Sequence, residues 1–238
     1  VDINLTEYST RLSAVNLFTD CWELKEFIYD GKSENIARIS SLYNAFTNCY
    51  KMEKLTVKDD LPEWIGCYAV GSQTENGCLF DIDIGATSPN GTQATFRKAK
   101  IADNSTITLR NVSNAQDMFR EIEIKGSYSG IFAPLFCDPY TALNCSYAFA
   151  DATSEKDNIE TSIPSISNAN HMFDGFTFNT LNGKIWPGYL NINAATNLQN
   201  MFSNSNVRTL VGIDGKRITA ATNLSNMFYN SLNLDDYT

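Results

Sequence analysis

Asp81 and Asp83 are the residues whose types and spacing come closest to catalytic chemistry. They stand two residues apart in the alternating run 78–84, so both lie on one face of the predicted strand. Paired carboxylates carry out general acid/base steps in glycosidases, and they also bind Ca²⁺. The commoner role of such a pair is the solvent-facing side of a half-buried strand, and we expect that role here.

His171 is the only histidine, so a histidine-based metal cluster is excluded and any Ser-His-Asp triad would need this residue. It stands at a polar position of a repeat whose equivalents are Asn200 and Asn226, so we expect it to point outward. The sequence contains no phosphate-binding glycine loop, dinucleotide fingerprint or nucleophile elbow. We therefore predict no catalytic residue, no cofactor and no metal site.

The six cysteines show no C-x-x-C metal spacing. Cys21 and Cys49 share one repeat position, three residues after Phe18 and Phe46. In stacked coils their sulfurs lie near each other, either as a disulfide or as free thiols that pack as small hydrophobic groups. The sequence leaves both states open.

A repeated segment must position these residues. Residues 195–205 read ATNLQNMFSNS, and residues 221–231 repeat them closely as ATNLSNMFYNS. Self-similarity of this kind indicates a repeat architecture. Reduced to its physical content, the unit places one apolar residue four positions before a phenylalanine and another directly before it. Seven phenylalanines fit: Phe18, Phe46, Phe119, Phe149, Phe173, Phe202 and Phe228.

Apolar residues at i, i+3 and i+4 share one face of a helical turn, and Ser, Thr or Asn residues precede most copies as N-cap candidates. We read each copy as a short capped helix, which is not stable alone and needs a packing partner. Short β-type runs such as 52–57 and 208–213 follow several copies. The sequence therefore predicts an α/β repeat solenoid whose coils each have one short helix and one short strand.

The run 42–57, LYNAFTNCYKMEKLTV, resembles the Ala-Phe-x-x-Cys-x-x-Leu-x-x-Leu unit of BspA-like leucine-rich repeats. The Asn-Met-Phe copies resemble the related Met-Phe surface-protein repeats of bacteria. The resemblance covers residues 13–58 and 113–234 and hardly touches 59–112. It implies a leucine-rich-repeat solenoid that serves adhesion and recognition, in an extracellular position on a cell surface or on a virion. The chain departs from the family pattern because only the first two copies keep the cysteine.

The whole chain, 1–238, is predicted to form a single solenoid domain. Residues 1–58 hold the first coils and residues 113–238 the remaining ones. The segment 59–112 lacks the matching phenylalanines and has turn clusters around an alternating run, which is typical of β-hairpin strands. This β-rich, irregular segment holds either degenerate coils or a β insertion, and we favour degenerate coils that carry an insertion.

Composition narrows the choice of partners. A hydrophobic fraction of 43% with 12% aromatic residues is typical of a folded chain, and no apolar run approaches the ~20 residues that span a bilayer. The formal net charge of −9, without a basic cluster, argues against nucleic acid and anionic membranes as partners. We expect neither nucleic-acid binding nor membrane insertion.

We expect a non-enzymatic recognition or adhesion module that binds a protein or a glycan through one face of the solenoid. Four aromatic residues in irregular segments are candidate ligand contacts: Trp64, Tyr68, Trp186 and Tyr189. The alternative is a structural assembly component, such as a phage virion or tail protein. A third hypothesis is an enzyme that acts on polysaccharide through Asp81 and Asp83.

The last coil suggests how such an assembly would form. No polar capping coil follows the run that contains Leu232 and Leu234, although terminal repeats normally need one. We expect these residues to form an apolar end that contacts further chain or a neighbouring subunit.

Overall fold

The fold is a parallel β-solenoid, seen in a computed structural model. The structure describes residues 12–31, 39–59, 65–85, 94–112, 114–137, 143–160, 163, 165–186, 192–210 and 218–234. Within these ranges there are strands and turns but no α-helix, and thus no helix long and apolar enough to cross a membrane.

The strands are short, and they are listed here in chain order. They are β1 Leu12–Ser13, β2 Glu26–Asp30, β3 Ile39–Ser41, β4 Lys54–Asp59, β5 Leu79–Gly85, β6 Lys100–Ile101, β7 Thr106–Arg110, β8 Glu123–Ile124, β9 Ile131–Phe132, β10 Leu135–Cys137, β11 Leu143–Asn144, β12 Thr153–Ser154, β13 Asn158–Glu160, β14 Ile166–Asn168, β15 Thr177–Phe178, β16 Lys184–Trp186 and β17 Thr209–Leu210.

All strand pairs among the described residues are parallel. The largest sheet has the order β10-β7-β5-β4-β2, and two four-stranded sheets have the orders β15-β12-β8-β6 and β17-β16-β13-β9. The pairs β1-β3 and β11-β14 complete the set. Each neighbour in a sheet belongs to another coil, which confirms the predicted solenoid architecture.

The predicted short helix is wrong, because each repeat forms two consecutive β-turns. In the turns 42–45 and 46–49, the fourth residue donates its N–H to the carbonyl of the first, at 2.9 and 3.1 Å. The third residue of each turn, Asn44 and Asn48, has a positive φ of 51° and 61°. A helix needs negative φ at every residue and i→i−4 bonds, whereas positive φ at the third position is the mark of a type II turn. The leucine-rich-repeat coil of helix plus strand is therefore not the coil of this chain.

The turns reproduce the apolar spacing of a helix for a simple geometric reason. Each four-residue turn points its first and last residues inward and its two middle residues outward. Two turns in succession therefore bury the same i, i+3, i+4 set that one face of a helix would bury. In the copy at 169–176 the inward residues are all fully buried: Ala169, Met172, Phe173 and Phe176.

Positive φ explains the abundance of asparagine in the repeat. Asn, Asp and Gly adopt the left-handed conformation at lower cost than other residues. They occupy the third turn position in most copies: Asn16, Asp20, Asn44, Asn48, Asp117, Asp151, Gly175, Asn200, Asn204, Asn226 and Asn230.

A column of stacked phenylalanine rings runs through the core. The ring centroids of Phe119 and Phe149, Phe149 and Phe173, Phe173 and Phe202, and Phe202 and Phe228 lie 5.1, 5.2, 5.5 and 5.7 Å apart. The ring planes within these pairs differ by 14° or less. Each ring fills the space above its neighbour, so the column joins successive coils into one apolar cluster.

The segment 59–112 holds two further turns of the same stack. Each phenylalanine of the column before Phe228 donates its backbone N–H to a carbonyl of the next coil. That carbonyl belongs to the residue directly before the next column residue, as in the bond from Phe119 N to Ala148 O, which precedes Phe149. By this rule Phe46 bonds to Gly66 at 3.0 Å and Cys67 bonds to Thr95 at 2.8 Å, which places Cys67 and Phe96 in the column. The predicted β-hairpin is wrong here, since β5 pairs in parallel with β4 and β7.

Candidate functional site

Asp81 and Asp83 lie on the outer face of β5, and each carboxylate has a cation from a neighbouring strand. Lys58 Nζ lies 2.6 Å from Asp81 Oδ2, and Arg110 forms an ion pair with Asp83. Thr106 Oγ1 donates a further hydrogen bond to Asp81 Oδ1 at 3.0 Å. The two carboxylates therefore link β5 to β4 and β7, as members of a charge ladder along the sheet.

Of the four predicted ligand-contact aromatics, Tyr68 is the one whose side-chain surroundings the structure describes. Trp64 and Tyr189 lie outside the described residues, and Trp186 lies in β16. Tyr68 is half-buried on the outer side of a turn, where Lys98 Nζ lies 5.8 Å from its ring centroid. Among the four predicted aromatics, the surface around Tyr68 can therefore be analysed.

Next to Tyr68 lies a cluster of three charged residues from two coils. Arg97 donates from Nη2 and Nε to Glu121 Oε1 at 2.6 and 3.0 Å, and Lys98 Nζ lies 3.4 Å from Glu121 Oε2. Burial alone would raise the pKa of Glu121, but the hydrogen bond from Arg97 and the charges of both cations lower it. Glu121 is thus held as a carboxylate that fixes the positions of both cations.

Arg120 continues this surface to the next coil. Its Nη1 donates to Asp117 Oδ1 at 3.2 Å, and its Nη2 lies 3.7 Å from Asp151 Oδ2. The centre of its guanidinium lies 5.3 Å from the ring centroid of Tyr147, within the range of a cation–π interaction.

Tyr147 stacks in turn on His171, with ring centroids 4.6 Å apart and planes at 9°. His171 Nδ1 lies 2.6 Å from Asp174 Oδ2, and its Nε2 lies 3.0 Å from Asn200 Nδ2. An amide nitrogen can only donate, so Nε2 accepts and Nδ1 carries the proton that is donated to Asp174. His171 points outward, as the repeat position indicates, and its imidazole is fixed by both ring nitrogens.

We call this continuous surface the turn band, and it consists of Tyr68, Arg97, Lys98, Arg120, Glu121, Tyr147 and His171. Its members occupy the middle positions of turns in consecutive coils, so the backbone stack sets their spacing. Arg97 and Lys98 are paired with Glu121 inside the band, and Arg120 is paired with Asp117 and Asp151 beside it. The ring of Tyr147 is stacked on His171 and lies near the guanidinium of Arg120. Such a surface offers hydroxyl groups, ring edges and guanidinium edges in fixed positions, and it contains no nucleophile with an adjacent base.

Sequence reasoning missed Arg120 and Tyr147 as members of a surface. The available signal was the repeat register itself, since both residues stand at outward positions beside the phenylalanine column. It did not indicate that a cation in one coil would stack on an aromatic ring in the next.

A second aromatic site was also missed, at the first described coil. Trp22 is 58% exposed, and its ring centroid lies 6.5 Å from that of Tyr50. A hollow of about 310 Å³ is lined by residues 20–24, which include Trp22 itself. Asp20 lines the same hollow, and its Oδ1 accepts a hydrogen bond from Asn48 Nδ2 at 2.8 Å.

The cysteine question that the sequence left open is answered in favour of free thiols. Cys21 is exposed and Cys49 is buried, and neither is in a disulfide. Cys49 Sγ donates to the carbonyl of Phe18 at 3.2 Å. Among the described residues, no group of three or more His, Cys, Asp or Glu side chains is arranged to hold a metal ion.

The two leucines of the predicted assembly end differ in exposure. Leu232 is 86% exposed, whereas Leu234 is partly buried against the core.

Compared with known proteins, the chain matches no protein-family model, no curated protein and no solved structure. The resemblance to BspA-like and Met-Phe repeats stays a prediction from the sequence.

Proposed function

We propose that this chain is a non-enzymatic recognition module that binds a partner protein through the turn band. The observation that carries the proposal is the stack of Arg120, Tyr147 and His171, which is built from three coils and held by hydrogen bonds at its ends. Tyrosine and arginine are the residue types that dominate binding energy at protein interfaces. Side chains that are already ordered lose little conformational entropy on binding, which favours affinity.

A protein partner fits this band better than a glycan does. Sugars bind aromatic side chains by stacking on an open ring face, but the ring of Tyr147 is already stacked on His171 and lies within cation–π distance of Arg120. The groups left for a ligand are charged and hydroxyl-bearing edges, which suit a polar protein surface. The proposal places the chain outside the cell or on a virion, and that location is supported only by the family resemblance.

The test is a screen of the purified chain against arrays of folded proteins and of glycans. Tyr147→Ala and Arg120→Ala are screened in parallel, with Thr108→Ala on the sheet face as the matched control. We expect protein ligands whose affinity falls about 30-fold or more in each band variant, as for interface hot spots, and stays unchanged in the control. Ligands that bind all four proteins equally would refute the role of the band, provided that circular dichroism shows the variants to be folded.

Trp22 supports a second candidate function, which is glycan binding at the first described coil. Its indole is exposed and lines a hollow together with Asp20, whose carboxylate is hydrogen-bonded to Asn48. A sugar ring requires this combination of an aromatic face and a polar group. In the same glycan array, Trp22→Ala would abolish binding while Tyr147→Ala would leave it intact. Glycan binding that survives Trp22→Ala would contradict this candidate.

A further inference from the structure

The last described turn presents a row of hydrogen-bond donors. In the preceding turn, Asn200, Phe202 and Asn204 donate their N–H groups to carbonyls of the next coil, at 3.0, 2.9 and 2.8 Å. The equivalent residues one coil later are Asn226, Phe228 and Asn230. Their N–H groups have no acceptor among the residues that the structure describes.

The first described turn presents the complementary acceptors. Between the first two turns, the N–H groups of residues 16, 18 and 20 bond to the carbonyls of residues 43, 45 and 47, each at 2.9 Å. One coil earlier, the carbonyls in those positions belong to Val15, Leu17 and Thr19. Within the described ranges, no N–H group donates to them.

Both turns also leave apolar residues exposed. Phe228 is 42% exposed, whereas Phe202, one coil inside, is 1% exposed. Leu224 at one end and Leu17 at the other are exposed too, although their equivalents inside the stack are buried. The donor row and the acceptor row thus each border an apolar surface.

We propose that copies of this chain associate head to tail, with the last turn of one copy stacked on the first turn of the next. The second copy is the occupant that fits, because its acceptors have the spacing of the donors and its apolar positions continue the phenylalanine column. The contact repeats the coil-to-coil interface that already exists inside the molecule, as between the turns of Phe202 and Phe228. Such an interface joins two different faces, so it leaves a free face at each end and permits longer chains of molecules.

The turn that would form the contact is itself uncharged. Residues 218–234 contain no charged side chain, although Asp235 and Asp236 follow them in the sequence and the whole chain has a net charge of −9. On the first coil, Glu23 and Glu26 are paired with Lys51 and Lys54. Added salt, which screens the remaining repulsion, should therefore strengthen the association. Asn230 Nδ2 donates one hydrogen to Asn204 Oδ1 at 3.3 Å, and an amide nitrogen has a second hydrogen available. That hydrogen is the natural donor to Asp20, which stands at the same turn position in the first coil.

The test uses two variants, each with one face blocked. Leu17→Glu blocks the acceptor face and Phe228→Lys blocks the donor face; both residues are exposed, so the coil stack is preserved. Analytical ultracentrifugation of the 238-residue chain across a wide concentration range should show a mass that rises beyond the dimer. Each variant alone should remain a monomer, and an equimolar mixture should form dimers and nothing larger, because each variant keeps the face that the other has lost.

The other outcomes overturn the proposal. A wild-type chain that stays monomeric at every concentration has no such contact. A single variant that still dimerises uses one face twice, which is not a head-to-tail contact. Amide exchange provides an independent measurement: the N–H groups of Asn226, Phe228 and Asn230 should gain protection as the wild-type protein is concentrated, and unchanged exchange would refute the predicted bonds. None of these measurements involves the turn band.

Discussion

The rings of Phe173 and Phe202 lie parallel, with centroids 5.5 Å apart and planes that differ by 2°. These residues belong to neighbouring coils, and both rings are buried. Each ring therefore contributes to the packing of two coil interfaces at once, which makes the column the main apolar link along the stack.

Phe173→Ala is expected to lower the free energy of unfolding by ~3–5 kcal/mol, because it opens a cavity between two coils. Phe228→Ala serves as the matched control, since its ring is partly exposed and has a column neighbour on only one side among the described residues. Urea denaturation measures both values. A loss at Phe228 as large as that at Phe173 would contradict the burial pattern of the column.

Ala94→Gly and Ala99→Gly are expected to change stability in different ways. Ala94 has a φ of 55°, a conformation that costs a non-glycine residue ~1–2 kcal/mol, so glycine relieves strain that offsets its entropy cost. Ala99 is buried and has no such strain, so glycine there removes a packed methyl group and adds flexibility to the unfolded chain. We expect Ala94→Gly to be neutral or stabilising and Ala99→Gly to cost ~1–2 kcal/mol in urea denaturation. Equal losses at the two positions would count against the left-handed turn.

The apolar register of the repeat was predictable from sequence, but its backbone conformation was not. The residue four before each phenylalanine and the residue directly before it were identified as inward-facing, and most of them are buried, including Leu42, Met118 and Leu198. A helix and a pair of type II turns both bury residues at i, i+3 and i+4, so apolar periodicity alone cannot distinguish the two conformations. Asparagine at the third turn position was the available signal, since Asn44 and Asn48 are poor interior residues for a helix and favourable at positive φ.

The candidate site was predictable only in part, for a related reason. Tyr68 was selected from its own segment, but the turn band depends on which residues of different coils lie side by side. Arg120 and Tyr147 are 27 positions apart in the sequence, from 120 to 147, and only the coil stacking brings them into contact. The coils differ in length, so these neighbours cannot be found from a constant repeat spacing.

Asp103→Asn is expected to destabilise the chain at neutral pH, because it removes the counter-charge of a buried lysine. Lys156 Nζ lies 2.7 Å from Asp103 Oδ1 and 3.2 Å from the carbonyl of Ile131, and the lysine side chain is 6% exposed. Asp103 itself is more exposed, so solvent screens the pair and the expected loss is only ~1–2 kcal/mol. Glu53→Gln is the control, since its ion pair with Lys25 is solvent-exposed and its loss should be within ~0.5 kcal/mol.

The difference between wild type and Asp103→Asn should depend on pH. The hydrogen bond from Lys156 lowers the pKa of Asp103 in the folded state below its usual value, which is ~3.9 in the unfolded chain. The stability that this carboxylate contributes is therefore fully present above the unfolded pKa and is lost as the pH falls through the folded pKa. Denaturation curves from neutral to acidic pH should show the two proteins converging. A difference that stays constant down to strong acid would rule out the ion pair as its source.

Cys21 should react with iodoacetamide in the native protein while Cys49 does not. Cys21 is exposed, whereas burial raises the pKa of Cys49 to about 12. Compared with an ordinary thiol, that pKa reduces the thiolate fraction about a thousand-fold. Peptide mass spectrometry after brief labelling at mildly alkaline pH measures both sites, and labelling in denaturant should remove the difference. Rapid modification of Cys49 in the folded chain would show that the first coils open easily.

The backbone hydrogen bonds between turns give the molecule a direction-dependent mechanical response. Bonds such as those from Phe149 N to Met172 O and from Phe173 N to Met201 O connect one coil to the next, along the direction of stacking. A force that pulls the first and last coils apart loads these interfaces in series, so the weakest one opens while the others stay intact. Single-molecule stretching should then give a succession of small length steps instead of one large rupture. Under tension, the chain would act as an extensible spacer that lengthens coil by coil and limits the force passed to whatever is attached at its ends.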